Sequence, residues 1–417
     1  MGWKMAKFIN LLRIHLFSAT CALLLCLFYP CLATADWVEE QPLQDINENY
    51  YRLKKALDYY DSLQTHSWPS ITTTDFTPGN ANPAIPELRE RLRLTGDLSE
   101  KEDTRSEVYD TALVKAVKRF QWRHGLAVDG ILGSKTQREL NISPYERAEE
   151  IRRNMQRWAA LPDKLGQRFI FINIPEYRFD LIDNGKAVLT MKVIVGKPDR
   201  PTPELTSSLT QIELNPYWNI PLSIAQKDII PKIIKDPRYL DQMNIKVVLH
   251  KGSQVQTLNP NHINWKYAEE NGFNYELRQE PGKNNALGLV KFDFVNEYDV
   301  YMHDTPAKDL FGKNSRAFSS GCIRLEKPFA LLSYLLNSDP EWDIHRIAQI
   351  LQSGKLTTIK VRPIPIYIIY ATAWVDRNGV LNFRRDPYGY NEDPNPDDMN
   401  TEARIDDPFT IPLSFYA

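Results

Sequence analysis

Apolar positions change period part-way along the chain, and the change divides it. Ile46, Tyr50, Leu53 and Leu57 fall near helical spacing and predict an amphipathic helix within residues 36–75, ended by Thr72-Thr73-Thr74 and Pro78-Gly79-Asn80. Ile85-Pro86-Glu87-Leu88 opens a short helix, Leu113, Ala116, Val117 and Phe120 line one face of a second, and Ser134 is placed to cap a third. The glycines of residues 125–133 suit tight turns between the last two. A charged helix over residues 144–160 follows, with Trp158 near its end.

Strand signals then take over. Residues 169–174 and 177–182 read as strands, Asp183-Asn184-Gly185 as a hairpin turn and residues 187–195 as the returning strand. Further strands are expected at 208–214, 288–294, 298–303 and 357–361, with a helix at 328–336. A β-domain therefore begins near residue 167. Residues 215–287 form a helical, lysine- and asparagine-rich stretch that interrupts the strand pattern, as an inserted subdomain does. The aromatic tail, with Tyr367, Tyr370, Trp374 and Phe383, is expected to pack on the β-domain, and residues 391–398 to be a solvated loop.

Composition narrows the class. The 417 residues are 42% hydrophobic and 25% charged, with 18 Gly and 28 Pro, which excludes wholesale disorder, collagen and a polytopic membrane protein. Lys and Arg number 51 against 53 Asp and Glu, a balance that argues against a nucleic-acid partner and fits a neutral or compact polar substrate. At the front, Lys4, Lys7 and Arg13 precede an apolar run over residues 16–32, and Ala33-Thr34-Ala35 supplies small residues for cleavage. Residues 1–35 thus read as a Sec export signal with Asp36 as the mature start, Pro30 favouring cleavage. The run approaches the ~20 residues of a membrane span, so an uncleaved membrane anchor is the alternative. Neither Cys26 nor Cys31 has the small residue before it that lipid attachment needs. Cleavage removes Cys21, Cys26 and Cys31, takes the net charge from −2 to −5 and leaves Cys322 as the single thiol of an exported chain.

That thiol lies in Ala317-Phe318-Ser319-Ser320-Gly321-Cys322-Ile323-Arg324-Leu325, a turn-forming run before an apolar one. A thiol becomes a nucleophile when a positioned base takes its proton and backbone N–H groups receive the oxyanion. His303 ends a strand 19 positions upstream and is the base a returning loop can bring close. The remaining histidines, His66, His124, His250, His262 and His345, sit in unrelated contexts without metal-ligand spacing, so no metal is expected.

Tyr301-Met302-His303-Asp304-Thr305-Pro306, followed by Ser319-Ser320-Gly321-Cys322-Ile323-Arg324, resembles the signature of the L,D-transpeptidase catalytic domain, the YkuD type. Residues 195–203, Asn215-Pro216-Tyr217-Trp218-Asn219 and Asn284-Asn285-Ala286-Leu287-Gly288 extend the likeness to its large periplasmic branch, which also carries a peptidoglycan-binding domain. That second domain is similar to residues 77–142 through Ala116-Val117-Lys118-Arg119-Phe120-Gln121, Val128-Asp129-Gly130, Gly133 and Thr136. Core and turn residues carry this second likeness, so it points to a fold more than to glycan binding. The resemblance runs from about residue 77 to 390.

It implies an α+β multidomain chain. A helical segment (36–76), a three-helix peptidoglycan-binding-like domain (77–142) and a linker helix (143–166) precede a β-rich catalytic domain (167–362) with a capping subdomain at 215–287; residues 363–417 form an extension. It also implies that Cys322 attacks the stem tetrapeptide of peptidoglycan at the L-centre of diaminopimelate, expelling D-alanine and leaving a thioester. A second diaminopimelate amine, deprotonated by His303, then closes a 3→3 cross-link. Carbapenems are expected to acylate the same thiol.

The oxyanion donors are expected at the N–H groups of Ser320, Gly321 and Cys322. Strand alternation puts Arg324 on the face of Cys322, where it suits a substrate carboxylate, and Tyr301 on the face of His303. Trp218 is a candidate for the cleft under the cap. Many family members have Ser-His-Gly-Cys where this chain has Ser320, so a second imidazole has no part here. Asp304, next to His303, points to the opposite face of a strand, so a backbone carbonyl is expected to orient the imidazole. An L,D-carboxypeptidase shares the thioester and a non-catalytic wall-binding protein shares the fold, so both stay open.

Overall fold

The computed structural model describes residues 46–391 apart from 73–75, 252–253, 338 and 377. The export segment, with its three cysteines, and all but the first residue of the loop at 391–398 lie outside the described residues. Among the described residues no helix is long and apolar enough to cross a membrane.

Helix α1 (Ile46–Leu63) leads into three short helices, α2 (Ile85–Leu94), α3 (Thr111–Arg123) and α4 (Ser134–Asn141). Their apolar faces close on Leu88, Leu92, Leu113, Val117, Phe120 and Leu140, all buried. Asp110 caps α3 by accepting from the Leu113 N–H at 2.9 Å. Ser134 does not cap α4: Gly133, extended, occupies the cap position and Ser134 is the first helical residue. Helix α5 (Pro144–Ala159) opens on a reciprocal capping box between Ser143 and Glu146.

Strands β1 (Arg168–Asn173), β2 (Arg178–Asp183), β3 (Lys186–Gly196) and β4 (Leu205–Leu214) begin the β-domain. Asn184 and Gly185 both take positive φ, 48° and 75°, which turns β2 into β3 in two residues. After the cap come β9 (Val290–Phe294), β10 (Met302–His303), β11 (Ala317–Ser319), β12 (Ile323–Leu325), α9 (Pro328–Leu336), α10 (Ile344–Ser353) and β13 (Thr357–Ile369). Their order in the sheet is β11-β3-β12-β10-β9-β4-β13-β1-β2, and a β2–β3 pairing closes it into a barrel. The inward-facing alternates fill the interior with Ile170, Phe179, Val193, Ile212, Phe292, Met302, Ile323 and Ile366, to which α9 adds Leu331 and Leu332.

The expected strand over 298–303 shrinks to Met302–His303. Asn296 takes over the backbone before it: its Oδ1 accepts from the N–H groups of Tyr298 and Val300, its Nδ2 donates to the carbonyls of Phe294 and Val300, and Asp299 turns at φ 53°.

The insertion is not purely helical. Strands β5 (Trp218–Ile220), β6 (Ile245–Lys251), β7 (Gln254–Leu258) and β8 (Glu276–Gln279) form a sheet of order β5-β8-β6-β7. Helices α6 (Ile230–Lys235), α7 (Tyr239–Gln242) and α8 (Trp265–Asn271) accompany it, and the cap has its own core around Ile230, Ile233, Leu240, Val247 and Leu277. Asn285 ties the two roots of the cap together, its Nδ2 donating to the carbonyls of Pro216 (3.1 Å) and Glu280 (3.0 Å).

Beyond β13 the extension forms a hairpin, β14 (Ala373–Val375) and β15 (Leu381–Phe383). It packs on the β-domain as expected and also on α1 and α5, in one core holding Leu53, Ile151, Trp158, Phe169, Tyr367, Trp374 and Phe383. Phe383 also stacks on His124, whose ring lies on Phe120 at 3.8 Å, with the Arg147 guanidinium 4.3 Å from the Phe383 centroid. This ring fastens the three-helix domain to the rest of the chain. Phe383→Ala is expected to lower unfolding stability by about 3–5 kcal/mol in a denaturant titration. A loss below about 1 kcal/mol would show that the two parts do not depend on it.

Candidate active site

Strand register assembles the site. In the parallel pair of β10 and β12, Met302 lies opposite Ile323 and His303 opposite Arg324, and the Ile323 N–H donates to the Tyr301 carbonyl at 3.0 Å. One step back, Cys322 is beside Tyr301. Met302 and Ile323 point into the barrel core, so alternation puts Tyr301, His303, Cys322 and Arg324 together on its outer face. On the far side of β10, antiparallel β9 sets Lys291 beside His303, and β4 sets Glu213 beside Lys291.

Cys322 is a free, half-buried thiol. Its Sγ lies 3.9 Å from the Asp299 carbonyl and receives a hydrogen bond from the Tyr301 hydroxyl. Burial pushes the thiol up, against the Tyr301 hydrogen bonds and the positive Lys291 and Arg324, which pull it down. The Tyr301 ring stands 5.7 Å from that of His303, edge to face, and the Lys291 ammonium lies 4.6 Å from its centroid. Lys291 is itself paired with Asp293 at 2.8 Å and Glu213 at 3.5 Å. Tyr301 therefore stands against the thiol, with His303 one step further along the same face.

His303 is buried, and its Nδ1 meets the Asp304 backbone carbonyl at 2.5 Å. A carbonyl only accepts, so Nδ1 carries the proton and Nε2 keeps its lone pair. Burial and then the Arg324 charge lower the imidazole to about 3, with Lys291 and Lys308 acting in the same direction. It is neutral at ordinary pH. The Asp304 carboxylate points away from it, accepting from Lys308 Nζ at 2.6 Å and from the Leu289 N–H at 3.0 Å. Gly288, at φ 64°, leaves room for that carboxylate: a Cβ there would stand 2.2 Å from Oδ2.

Arg324 is half-buried, its Nε is enclosed without a hydrogen-bond partner, and it has no ion pair among the described residues. Burial lowers its pKa, opposed by the neighbouring Cys322. A cation left unpaired beside a thiol calls for an anion from outside.

The turn before Cys322 is held from two sides. Gly321 takes φ 111°, its N–H donates to Ser319 Oγ at 3.3 Å, and Ser319 Oγ donates to the Cys322 carbonyl at 2.5 Å. Gly321 N–H, expected among the oxyanion donors, is thus engaged within the turn. Thr202 Oγ1 donates to the Gly321 carbonyl at 2.6 Å and accepts from the Gly196 N–H at 2.9 Å. In a trans peptide the C=O and N–H point opposite ways, so fixing the Gly321 carbonyl on Thr202 turns the Cys322 N–H to the other side. Tyr388 of the extension braces Thr202, its hydroxyl accepting from Thr202 N–H at 3.1 Å and donating to the Gly196 carbonyl at 2.9 Å. Thr202, Tyr388 and Lys291 were not singled out from sequence. Thr202 belongs to the block 195–203 that carries the family likeness without marking any one residue in it, and Tyr388 to the aromatic tail, where nothing local marks a role at the site.

Trp218 belongs to the cap. Half-buried in β5, it packs on the cap's own core, and the neighbouring Tyr217 ring lies under the Arg278 guanidinium at 4.6 Å.

Residues 167–359 match the family model of the L,D-transpeptidase catalytic domain, YkuD. The chain carries a YkuD-type catalytic domain. Residues 81–140 match a second family, described as "Putative peptidoglycan binding domain". A Haemophilus influenzae protein named "Putative L,D-transpeptidase" is 35% identical over 266 residues, 64% of this chain and 52% of that protein. The chain thus spans about half the length of this curated relative. Among solved structures, an L,D-transpeptidase from Mycobacterium smegmatis is 15% identical, with 48% of this chain and 58% of that one covered at a TM-score of 0.23. One from Xylanimonas cellulosilytica is 13% identical, with 72% and 100% covered at 0.22. L,D-transpeptidase 3 from Mycobacterium tuberculosis, in complex with a faropenem-derived adduct, is 12% identical, with 49% and 60% covered at 0.23. The assignment rests on the family match and the YkuD motif geometry.

Proposed function

We propose that the chain is an exported cysteine L,D-transpeptidase that works on peptidoglycan stem peptides in the periplasm and forms 3→3 cross-links. The observation that carries this reading is the shared outer face of β10 and β12 in a YkuD domain: a thiol, a neutral imidazole with a free Nε2 and an unpaired guanidinium. His303 Nε2 takes the thiol proton as sulfur attacks the carbonyl between diaminopimelate and D-alanine. The oxyanion faces the Cys322 N–H, which the Thr202 contact turns outward. The imidazolium returns its proton to the departing D-alanine amine, leaving a thioester. An acceptor amine then loses its proton to His303, attacks the thioester and expels the thiol. Peptide-bond energy is kept in the thioester, so no cofactor takes part. Carbapenems enter by the same route, the strained lactam carbonyl taking the place of the donor.

Mass spectrometry of the purified full-length protein with diaminopimelate-containing disaccharide tetrapeptide tests the reading. A dimer lacking one D-alanine is the expected product. Monomeric tripeptide alone would assign an L,D-carboxypeptidase, and unchanged substrate would count against catalysis.

Arg324 suits the substrate carboxylate. Arg324→Gln is expected to raise KM for the tetrapeptide about 10–100-fold, the range of a lost charged hydrogen bond of about 1.5–3 kcal/mol. Its charge also holds His303 down, so the same variant should move the acid limb of kcat/KM to higher pH. An unmoved limb would place the guanidinium away from the imidazole in solution.

A further inference from the structure

An arginine of the β3–β4 turn bridges the cap and the nucleophile turn. Arg200 lies in the turn between β3 and β4, folded tightly because Gly196 has no side chain: a Cβ there would stand 2.2 Å from the Arg200 carbonyl. The Arg200 Nη1 donates to Ser320 Oγ at 3.0 Å, two residues before the thiol. The same Nη1 donates to Asp228 Oδ2 at 2.5 Å, and Nη2 to Asp228 Oδ1 at 3.2 Å. Asp228 belongs to the cap, on a π-helix (Ala225–Ile229) followed directly by α6. Single π turns inside helices are rare and mark positions where an extra residue re-aims a side chain. The Arg200 side chain is 14% exposed and that of Asp228 33%, so the pair is partly withdrawn from water. Ser320 meets the guanidinium with a short hydroxyl on the nucleophile turn itself.

We infer that Arg200 is a positioning residue that couples the cap to the nucleophile: Asp228 holds the guanidinium, the guanidinium holds Ser320, and the turn keeps its reactive shape while the cap is engaged. A planar guanidinium can serve two acceptors at once, which a lysine ammonium does less rigidly. Opening the cap withdraws Asp228 and leaves Arg200 to the exposed Asp199 of its own turn, 3.5 Å from Nε, which draws it away from Ser320. Thr202 still holds the Gly321 carbonyl, so the turn loosens on one side without unfolding. The inference deepens the transpeptidase reading and rests on it for its catalytic consequence, but not for the coupling itself.

Hydrogen exchange and kinetics on the full-length protein, comparing wild type with Asp228→Asn, Ser320→Ala and Arg200→Gln, test it. Asp228→Asn is expected to speed amide exchange about 3–10-fold not only in the cap at 222–235 but also at 317–324, about 90 residues away in sequence. Coupling is reciprocal, so Ser320→Ala should speed exchange at 222–235. With the tetrapeptide, Asp228→Asn should lower kcat about 10-fold with KM within about 2-fold, the split of a group that shapes the reacting turn rather than binding substrate. Faster exchange confined to the cap, with kcat at the wild-type value, would overturn the coupling, as would no change in either segment. Should Arg200→Gln fold poorly, the other two variants carry the test. Failure of the wild type itself to become acylated at Cys322 would sink the transpeptidase reading, while the exchange at 317–324 still decides the coupling.

Discussion

Cys322→Ala is expected to abolish acyl transfer. The expected result is a fall of about 10⁴-fold or more in dimer formation from tetrapeptide and no covalent adduct in the intact mass, with either tetrapeptide or a carbapenem. The size follows from the chemistry: no other nucleophile stands on the outer face of β10 and β12, where the remaining groups are a phenol, an imidazole and a guanidinium. Tyr301 cannot substitute, because burial keeps its phenol protonated well above the usual range. Cys322→Ser should fail nearly as fully, since the hydroxyl is far less acidic than a thiol and His303, lowered to about 3, is a weak base for it. Neither change should disturb the fold, because the thiol is half-buried and its described hydrogen-bond partners are the Tyr301 hydroxyl and backbone and the Asp299 carbonyl. Dimer formation in Cys322→Ala at a hundredth of the wild-type rate would remove Cys322 from the reaction.

Which parts of this site a sequence can reveal follows from how far each part depends on the rest of the fold. The thiol and the imidazole are legible because each is chemically unusual where it stands: the one cysteine beyond residue 31, in a turn-forming run, and one histidine at a strand end. The alternation that puts Arg324 and Tyr301 on their face is local, and so is the backbone carbonyl that holds Nδ1. Thr202 and Tyr388 are different. Their hydroxyls matter because folding brings Thr202 to Gly321 across 119 residues of chain and the Tyr388 of the C-terminal extension to Thr202 across 186, and no local pattern marks that.

The cap misled for a related reason. The run Ile245–Lys251 does contain period-two alternation, but lysines and asparagines around it mimic an exposed helix, and only pairing with β8 settles the matter. The last strand, expected over 357–361, runs on to Ile369 through Pro363 and Pro365. Pro363 falls in a register shift against β4 and Pro365 just before pairing with β1 begins, where a strand tolerates proline, so β13 runs on to Ile369. A large aromatic at a domain junction is as useful to the cap's core as to a cleft, and Trp218 packs on that core while half-buried.

His303→Gln is the second large effect, a fall of about 10³-fold in kcat/KM, within the range a positioned general base supplies. The amide can still donate to the Asp304 carbonyl and fill the space, so the loss isolates the Nε2 lone pair. Its pH signature is distinctive. His303 is lowered to about 3 from its usual value near 6.5, chiefly by burial and then by Arg324, while burial raises the thiol. Both groups are therefore neutral at pH 7, and the resting pair is thiol and imidazole rather than thiolate and imidazolium. Alkylation of Cys322 by iodoacetamide, which needs the thiolate, should climb with pH beyond 9 and should do so equally in His303→Gln. A plateau between pH 5 and 8 that vanishes in the variant would mean a preformed ion pair and would overturn this picture. Stability carries the same information with a definite sign. The unfolded imidazole takes a proton below about pH 6.5 and the folded one not until about 3, so the contribution of neutral burial is complete above 6.5 and is lost as pH falls through that window. Wild type should lose up to about 1.4 kcal/mol per pH unit more than His303→Gln between pH 6 and 4 in denaturant titrations. His124, also buried and also held low, is present in both proteins and cancels in the difference. His303→Gln, nearly inactive, should therefore be the more acid-stable protein of the two.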